Sequence, residues 1–233
     1  MSIALNLENI NRRIEEAAIK SGRKREDITL VAVSKTVTVK EVREAYASGQ
    51  HLFAENRVQC LMEKLEGLQT EPLEKIDWHL IGSLQTNKIK YIIDKVSLIH
   101  SVDSIHLAEA IDKCAKKHGV KANCLLQINV SKEESKHGIE FEEIDRVVDE
   151  FTKFDNVNLK GFMTMAPFDA TEYTLRKIFS TLYKKYVDMS AQKGHNVNMS
   201  YLSMGMTNDF TCAIEEGSNM VRVGTGIFTK EIK

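Results

Sequence analysis

Short apolar runs alternate with longer amphipathic segments along most of the chain. Short continuous apolar runs are typical of strands that are buried on both faces of a sheet. Strands are therefore predicted near eight such runs: Ile28–Ser34, His51–Ala54, Ile76–Ile81, Val96–His100, Ala122–Val130, Val157–Met163, Asn198–Leu202 and Met220–Val223.

The segments between these runs place apolar residues at helical spacing. The first helix is predicted over Asn6–Ser21, with Asn6 as its N-cap and Gly22 as the residue that ends it. Further helices are predicted over Val39–Ser48, Arg57–Gly67, Gln85–Ile93, Ile105–His118, Phe141–Phe151, Tyr173–Ala191 and Asn208–Glu215.

Alternation of strands and helices predicts an α/β fold with a parallel sheet. Eight predicted strands in 233 residues, each followed by a helix except the last, favour closure into a single TIM-like (β/α)8 barrel. An open doubly wound sheet stays an alternative, because periodicity does not show closure. The glycine-rich fingerprints of open nucleotide-binding sheets are absent from the sequence. No linker rich in proline, glycine or serine divides the chain, so residues 1–233 are predicted to form one domain.

Composition narrows the class of protein. The chain is 42% hydrophobic and 28% charged, with a net charge of −1, so no global field draws it to nucleic acid or to an anionic membrane. The N-terminus lacks the apolar region of a signal peptide, and no run is long enough to span a bilayer. The four cysteines are scattered without metal-ligand spacing, which favours reduced thiols in a cytoplasmic protein and predicts no metal site.

Polar residues collect where the predicted strands end. Functional residues of a barrel lie at the C-terminal ends of its strands, so these residues predict one lined pocket. They are Lys35, Glu55–Asn56, Gly82, Ser101, Asp103, Asn129, Met163–Met165, Ser203 and the segment 222–225, and Lys136 is expected to lean over the mouth.

Lys35 follows the first strand and shares a face with Val31 and Val33 by period-2 alternation. If that face lines the barrel, desolvation of the ammonium leaves a nucleophilic amine suited to Schiff-base chemistry. On position alone, the alternative of a lysine that reaches solvent past a buried strand is favoured.

Arg222 alternates with two valines, which predicts that it faces the barrel axis. A guanidinium cannot be neutralised, so its burial requires an acceptor. Two interpretations stand about even: a structural ion pair with a lumen carboxylate such as Asp103 or Glu55, or donation to a ligand atom.

Two glycine-containing turns follow the seventh and eighth strands, over 203–207 and 224–226. Barrels often bind phosphate with these two loops. A strand-end lysine, an axial arginine and a phosphate-binding pair of loops together fit a phosphorylated aldehyde as cofactor.

Several segments carry a resemblance to one family. They are Leu30-Val31-Ala32-Val33-Ser34-Lys35-Thr36, Phe53-Ala54-Glu55-Asn56-Arg57-Val58-Gln59, Trp78-His79-Leu80-Ile81-Gly82, Gln85-Thr86-Asn87-Lys88, Ser101-Val102-Asp103, Leu202 to Phe210 and Val221 to Phe228. With these segments in this order over nearly its whole length, the chain resembles the pyridoxal phosphate homeostasis proteins. Ala54 and Thr229 depart from the family, which usually has glycine at both places.

The resemblance implies a fold-type III barrel, like the N-terminal domain of alanine racemase, that binds pyridoxal 5′-phosphate (PLP). It implies an internal aldimine on Lys35 and donation by Arg222 to the pyridine nitrogen. It further implies that Ser203, Gly224 and Thr225 hold the phosphate and that Asn56 lines the ring.

These roles favour a carrier that maintains intracellular vitamin B6 over an enzyme. An arginine at the pyridine nitrogen keeps it unprotonated and makes the ring a poorer electron sink. Fold-type III racemases take a second acid–base group from another domain, and we expect no counterpart of it after this barrel. Tyr201 is expected to be fixed beside the phosphate loop, and His79 is expected to pack in its strand. We therefore predict no catalytic residue, a monomer or weak dimer, and PLP-dependent apoenzymes as candidate partners. A small racemase or lyase and a cofactor-free Schiff-base aldolase are the alternatives.

Overall fold

The computed structural model describes residues 2–69, 76–131, 137–191 and 194–229. All eight predicted strands are present within these ranges, and one short strand, β6, was not predicted. The strands are β1 Thr29–Val33, β2 Leu52–Glu55, β3 Asp77–Leu80, β4 Leu98–Val102, β5 Ala122–Asn129, β6 Ile139–Glu140, β7 Val157–Met163, β8 Val197–Ser203 and β9 Met220–Val223.

The sheet closes on itself. Strand β1 pairs with both β2 and β9, and β4 pairs with β5, so that β1–β5 and β7–β9 form a ring of eight parallel strands. The two-residue β6 adds to β5 outside this ring. The predicted barrel is therefore confirmed, and the alternative of an open sheet is wrong.

Helices follow the strands around the barrel. They are α1 Ile3–Lys20, α2 Val39–Ala47, α3 Val58–Leu68, α4 Ile105–His118, α5 Ile144–Phe151, α6 Glu172–Ser190, α7 Phe210–Glu215 and α8 Thr225–Phe228. The segment predicted as a helix over Gln85–Ile93 is a 3-10 helix over Thr86–Tyr91. Helix α8 was not predicted, because four residues are too few to show a helical period. None of the helices in the described ranges is long and apolar enough to cross a bilayer.

Helix α1 begins earlier than predicted. Its N-cap is Ser2, whose hydroxyl accepts from the backbone N–H of Leu5 at 3.3 Å. Asn6, predicted as the cap, lies inside the helix and donates to the backbone oxygen of Ile227 at 2.9 Å. The prediction for Asn6 was wrong because the same side chain can serve as a cap or as a tertiary donor. Gly22, at φ 72°, follows the end of the helix as predicted.

Two apolar cores lie on opposite sides of the strands. One fills the space between strands and helices. The other lies inside the barrel and is formed by Val31, Ala54, Leu98, Leu125, Met163 and Met220. Two residues further along their strands, the inward positions become polar, as where His100 follows Leu98 and Arg222 follows Met220. The C-terminal half of the barrel interior is therefore polar.

Candidate functional site

Lys35 lies just beyond the C-terminal end of β1. The strand ends at Val33, Ser34 is buried, and Lys35 is exposed in the turn that follows. The structure matches the interpretation favoured on position alone, a lysine that reaches solvent past a buried strand, and not the alternative in which the barrel desolvates its ammonium. The structure therefore presents an accessible primary amine at the open end of the barrel.

A buried ion pair holds the chain immediately before Lys35. Glu55 bonds to Lys64 of α3 and accepts from the Ser34 hydroxyl at 2.6 Å, and Lys64 donates to the backbone oxygen of Ser34 at 2.6 Å. Glu55 has the same strand parity as Phe53, which packs in the core between strands and helices. The expectation that Glu55 lines the pocket is wrong, because its carboxylate faces α3.

Arg222 is 3% exposed and lies in the lumen, as its alternation with valines predicts. Its Nη1 donates to the backbone oxygen of Ser203 at 2.8 Å and to the Ser203 hydroxyl at 2.6 Å, and its Nη2 donates to the backbone oxygen of Thr164 at 2.9 Å. Burial lowers the pKa of Arg222 to about 10, against the opposing effect of Asp209, so the guanidinium stays charged at neutral pH.

The acceptors of Arg222 exclude one of the two interpretations of its burial. All three are neutral oxygens, and no carboxylate lies within ion-pair distance of Arg222 among the described residues. The interpretation of Arg222 as the partner of an ion pair with Asp103 or Glu55 is therefore wrong, and donation to a ligand atom stays a prediction. A guanidinium has five N–H donors, and these three bonds leave donor capacity for an atom of a ligand.

Two histidines extend the polar interior away from Arg222. His100 Nδ1 lies 3.1 Å from the Ser203 hydroxyl, and His100 Nε2 lies 2.9 Å from His79 Nδ1. Burial lowers the pKa of His79 to about 4 although Asp77 opposes it. Burial holds the pKa of His100 well below its ordinary value, together with the repulsion of a protonated His79 and the charge of Arg222. Both imidazoles are therefore neutral at pH 7.

His100 was not singled out from the sequence, although a signal was available. It is two residues past Leu98 in an apolar strand, so both side chains face the same way. His79 was expected to pack in its strand, and it does so as a hydrogen-bonded member of the lumen.

The loops after β8 and β9 are joined to each other beside β1. The Thr225 hydroxyl donates to that of Thr207 at 3.1 Å, and the Gly226 N–H donates to the same oxygen at 3.3 Å. A Cβ on Gly224 would come within 3.1 Å of the Val33 backbone oxygen, so this loop passes close to the end of β1. Thr225 is exposed and Gly224 half-buried at the edge where Lys35 emerges.

The remaining predicted residues divide among the mouth, the lumen and the loops. Half-buried Asn56 follows β2. A Cβ added to Gly82 would lie 2.0 Å from the Asn56 backbone oxygen, so only glycine fits at position 82. Ser203 is fully buried and links the loop after β8 to Arg222 and His100. Ala54 is fully buried in the inner core. Lys136 lies outside the described residues.

This arrangement fits a phosphorylated aldehyde. The exposed amine of Lys35 can condense with an aldehyde. The backbone at Gly224, and the Thr225 hydroxyl once it turns from Thr207, can donate to a phosphate. The lumen guanidinium of Arg222 offers a donor to a ring acceptor. Within the described part of the chain, no group of acidic, histidine or cysteine side chains could hold a metal ion.

Known proteins are similar to this chain in sequence and fold. The family described as "Alanine racemase, N-terminal domain" matches residues 5–231. A pyridoxal phosphate homeostasis protein of Aquifex aeolicus is 39% identical over 98% of both chains. The structure of PipY from Synechococcus elongatus with PLP bound has a TM-score of 0.84 at 31% identity, covering 98% of this chain and 100% of that one. Alanine racemase from Clostridium difficile, in complex with cycloserine, has a TM-score of 0.76 at 17% identity and shares the fold; the match covers all of this chain and 60% of the enzyme.

Proposed function

This chain belongs to the family of pyridoxal phosphate homeostasis proteins, and from that membership we propose that it binds PLP at the open end of its barrel and carries it without turning over a substrate. The observation that carries the proposal is the position of Lys35. Strand β1 pairs with β9, and a Cβ on Gly224 would lie 3.1 Å from the Val33 backbone oxygen, so the backbone that leads to Lys35 passes beside Gly224. An amine and a phosphate-binding loop at one edge are what a phosphorylated aldehyde requires.

Lys35 supplies the covalent attachment in this proposal. Its amine attacks the aldehyde carbon of PLP, a C=N bond forms and water leaves. The buried pair of Glu55 and Lys64 supports this step indirectly, because it fixes the backbone of Ser34 directly before the reacting lysine.

Gly224 and Thr225 are the proposed phosphate contacts, where Gly224 follows β9 and Thr225 begins α8. The hydroxyl of Ser203, at the end of β8, is already bonded to Arg222 and His100. We therefore propose that Ser203 supports the phosphate site through Arg222 and does not donate to the phosphate itself. Asn56 is the proposed neighbour of the ring, since it directly follows β2 at the same end of the barrel.

Arg222 is the proposed partner of the pyridine nitrogen. Because a guanidinium only donates, that nitrogen must accept and therefore carries no proton. The bound cofactor would supply an electron sink for α-carbon chemistry, and an unprotonated ring supplies a weak one. This supports a carrier rather than an enzyme.

A small amino-acid racemase is the second candidate, favoured by the fold shared with alanine racemase. Racemisation also needs acid–base groups at the α-carbon. His79 is a poor candidate because it is buried and bonded to His100, and half-buried Tyr201 packs against the inner core. We therefore propose that neither residue moves a proton at a substrate.

The first test is the absorption spectrum of the protein as isolated, followed by borohydride reduction and mass spectrometry. We expect a visible band that reduction abolishes and an adduct on the peptide containing Lys35. Lys35→Ala should lose the adduct and stay folded, while Lys40→Ala, at an exposed lysine of the following helix, should keep it. An adduct chiefly on another lysine would contradict the assignment.

The second test separates carrier from racemase. The loaded protein is incubated with L-alanine in heavy water, and deuterium at the α-carbon is followed by mass spectrometry. We expect no incorporation above that of free PLP. Rapid incorporation that depends on Lys35 would establish an enzyme.

The proposal extends to the setting in which the protein works. We propose a cytoplasmic monomer that releases PLP to apoenzymes that use it. Light scattering should give the mass of one chain at low micromolar concentration, and a stable tetramer would contradict the monomer.

A further inference from the structure

A chain of four buried side chains crosses the barrel interior. It runs from Arg222 on β9 to Ser203 on β8, then to His100 on β4 and His79 on β3. Each of the four is at most 4% exposed. The proposed roles in PLP binding use Arg222 and Ser203, and they leave the two histidines without a function.

The direction of each hydrogen bond in this row of side chains follows from Arg222. Arg222 can only donate, so the Ser203 hydroxyl accepts from it and its own hydrogen is free for His100 Nδ1. A neutral His100 that accepts at Nδ1 carries its proton on Nε2, which donates to His79 Nδ1. If His100 Nδ1 carried the proton and donated instead, Ser203 Oγ would accept from both Arg222 and His100. The Ser203 hydroxyl hydrogen would then have no acceptor among the described residues.

We propose that His100 is a positioning residue for Arg222 and thereby makes this site select ligands with a ring acceptor. Acting through Ser203, it fixes the hydroxyl to which Nη1 donates, while the backbone oxygens of Ser203 and Thr164 fix the rest of the guanidinium. The remaining N–H donors are then held for one ligand atom. This inference rests on the proposed function, because it takes PLP as the ligand that Arg222 meets.

The consequence is a preference that can be measured. The carbocyclic analogue of PLP, in which C–H replaces the ring nitrogen, keeps the aldehyde, the phenol and the phosphate. It offers Arg222 no lone pair, so a buried N–H is left without an acceptor. We expect the unaltered protein to bind PLP about tenfold more tightly than this analogue.

The variant that tests His100 is His100→Leu, with His100→Asn as its conservative partner. Leucine cannot accept from Ser203, whereas the asparagine amide oxygen takes roughly the place of Nδ1. The preference for PLP should fall to about twofold or less in His100→Leu and stay near tenfold in His100→Asn. His118→Leu, at an exposed histidine at the far end of α4, should leave it unchanged.

A purely structural role of His100 would not change the ratio of the affinities for PLP and for its carbocyclic analogue. If His100 only supports the fold, His100→Leu weakens PLP and the analogue equally, and that result would overturn the proposal. If neither ligand binds the unaltered protein, the proposed function fails first.

A second measurement tests the assigned protonation of His100, and it depends neither on PLP binding nor on the folding of a variant. Nitrogen-15 NMR of the unaltered, cofactor-free protein at pH 7 should show His100 neutral, with its proton on Nε2 and Nδ1 accepting. A charged imidazole, or a proton on Nδ1, would overturn the assignment and the positioning role with it.

Discussion

Two buried cations stand on opposite sides of the same barrel wall, and they are satisfied in opposite ways. Lys64, 6% exposed, lies between β2 and α3 and bonds to the carboxylate of Glu55. Arg222, 3% exposed, lies in the lumen and bonds to three neutral oxygens. The charge of Lys64 is therefore neutralised by a carboxylate, whereas Arg222 has no carboxylate within hydrogen-bond distance among the described residues.

The difference separates support from binding. An ion pair closed within the wall has no charge to offer a ligand, but it fixes the backbone of Ser34 before Lys35. A guanidinium held by backbone oxygens retains both its charge and part of its donor capacity. The wall therefore positions the lysine that we propose to react, while the lumen holds the arginine that we propose to recognise the ring.

The largest effect is expected when Lys64 is replaced. Lys64→Ala leaves the Glu55 carboxylate buried without its cation, which costs roughly 3–5 kcal/mol of the free energy of unfolding. Urea unfolding followed by circular dichroism measures this loss.

Two further variants check the cause of that loss. The double change Lys64→Met with Glu55→Leu should recover most of the stability, since it removes both charges. Lys113→Ala breaks an exposed pair with Glu109 and should cost less than about 1 kcal/mol. If the double variant is as unstable as Lys64→Ala, lost packing rather than the unpaired carboxylate causes the effect.

The second effect is a loss of stability in acid, caused by the buried neutral His79 in the polar interior next to Arg222. The pKa of His79 is lowered from 6.5 to about 4 in the folded chain, so between these values the unfolded chain binds the additional proton. The stability that His79 contributes by staying neutral is complete above pH 6.5 and is lost as the pH falls towards 4, by about 3 kcal/mol. Urea unfolding at a series of pH values measures the slope.

His79→Asn should lower that slope, because asparagine does not titrate. His100, whose pKa is also held below its ordinary value, should maintain the rest of the slope. His118→Asn, at an exposed histidine, should leave the slope unchanged. A slope as steep after His79→Asn as before it would assign the proton uptake to other groups.

The third effect is the removal of Arg222 itself. Arg222→Met leaves the Thr164 and Ser203 oxygens short of a donor but leaves no opposite charge behind. We therefore expect a loss of about 1–3 kcal/mol, smaller than for Lys64→Ala. Urea unfolding measures it, and a loss as large as that of Lys64→Ala would show that a carboxylate such as Asp209 pairs with Arg222 in solution.

The sequence predicts most of this barrel because strand and helix periods are local properties. Strands β7 and β9 have the predicted bounds, and Arg222 faces the axis as its neighbouring valines require. What a side chain bonds to across the fold is not local. Glu55 was expected in the pocket although the ladder turns it towards α3, and the partners of His100 come from two other strands. The roles of Lys35, Asn56, Gly224 and Thr225 at a bound cofactor stay predictions.

The smallest effect is expected at the arginine with the most carboxylates. Arg176 of α6 bonds to Glu172, Glu215 and Glu216 at 2.7–2.9 Å, and these carboxylates raise its pKa. Its side chain is 39% exposed, so water and salt screen these interactions. Arg176→Ala should cost about 1 kcal/mol or less by urea unfolding, and less still in high salt. A cost above that of Arg222→Met would contradict the comparison, because charge count rather than burial would then decide what a cation contributes.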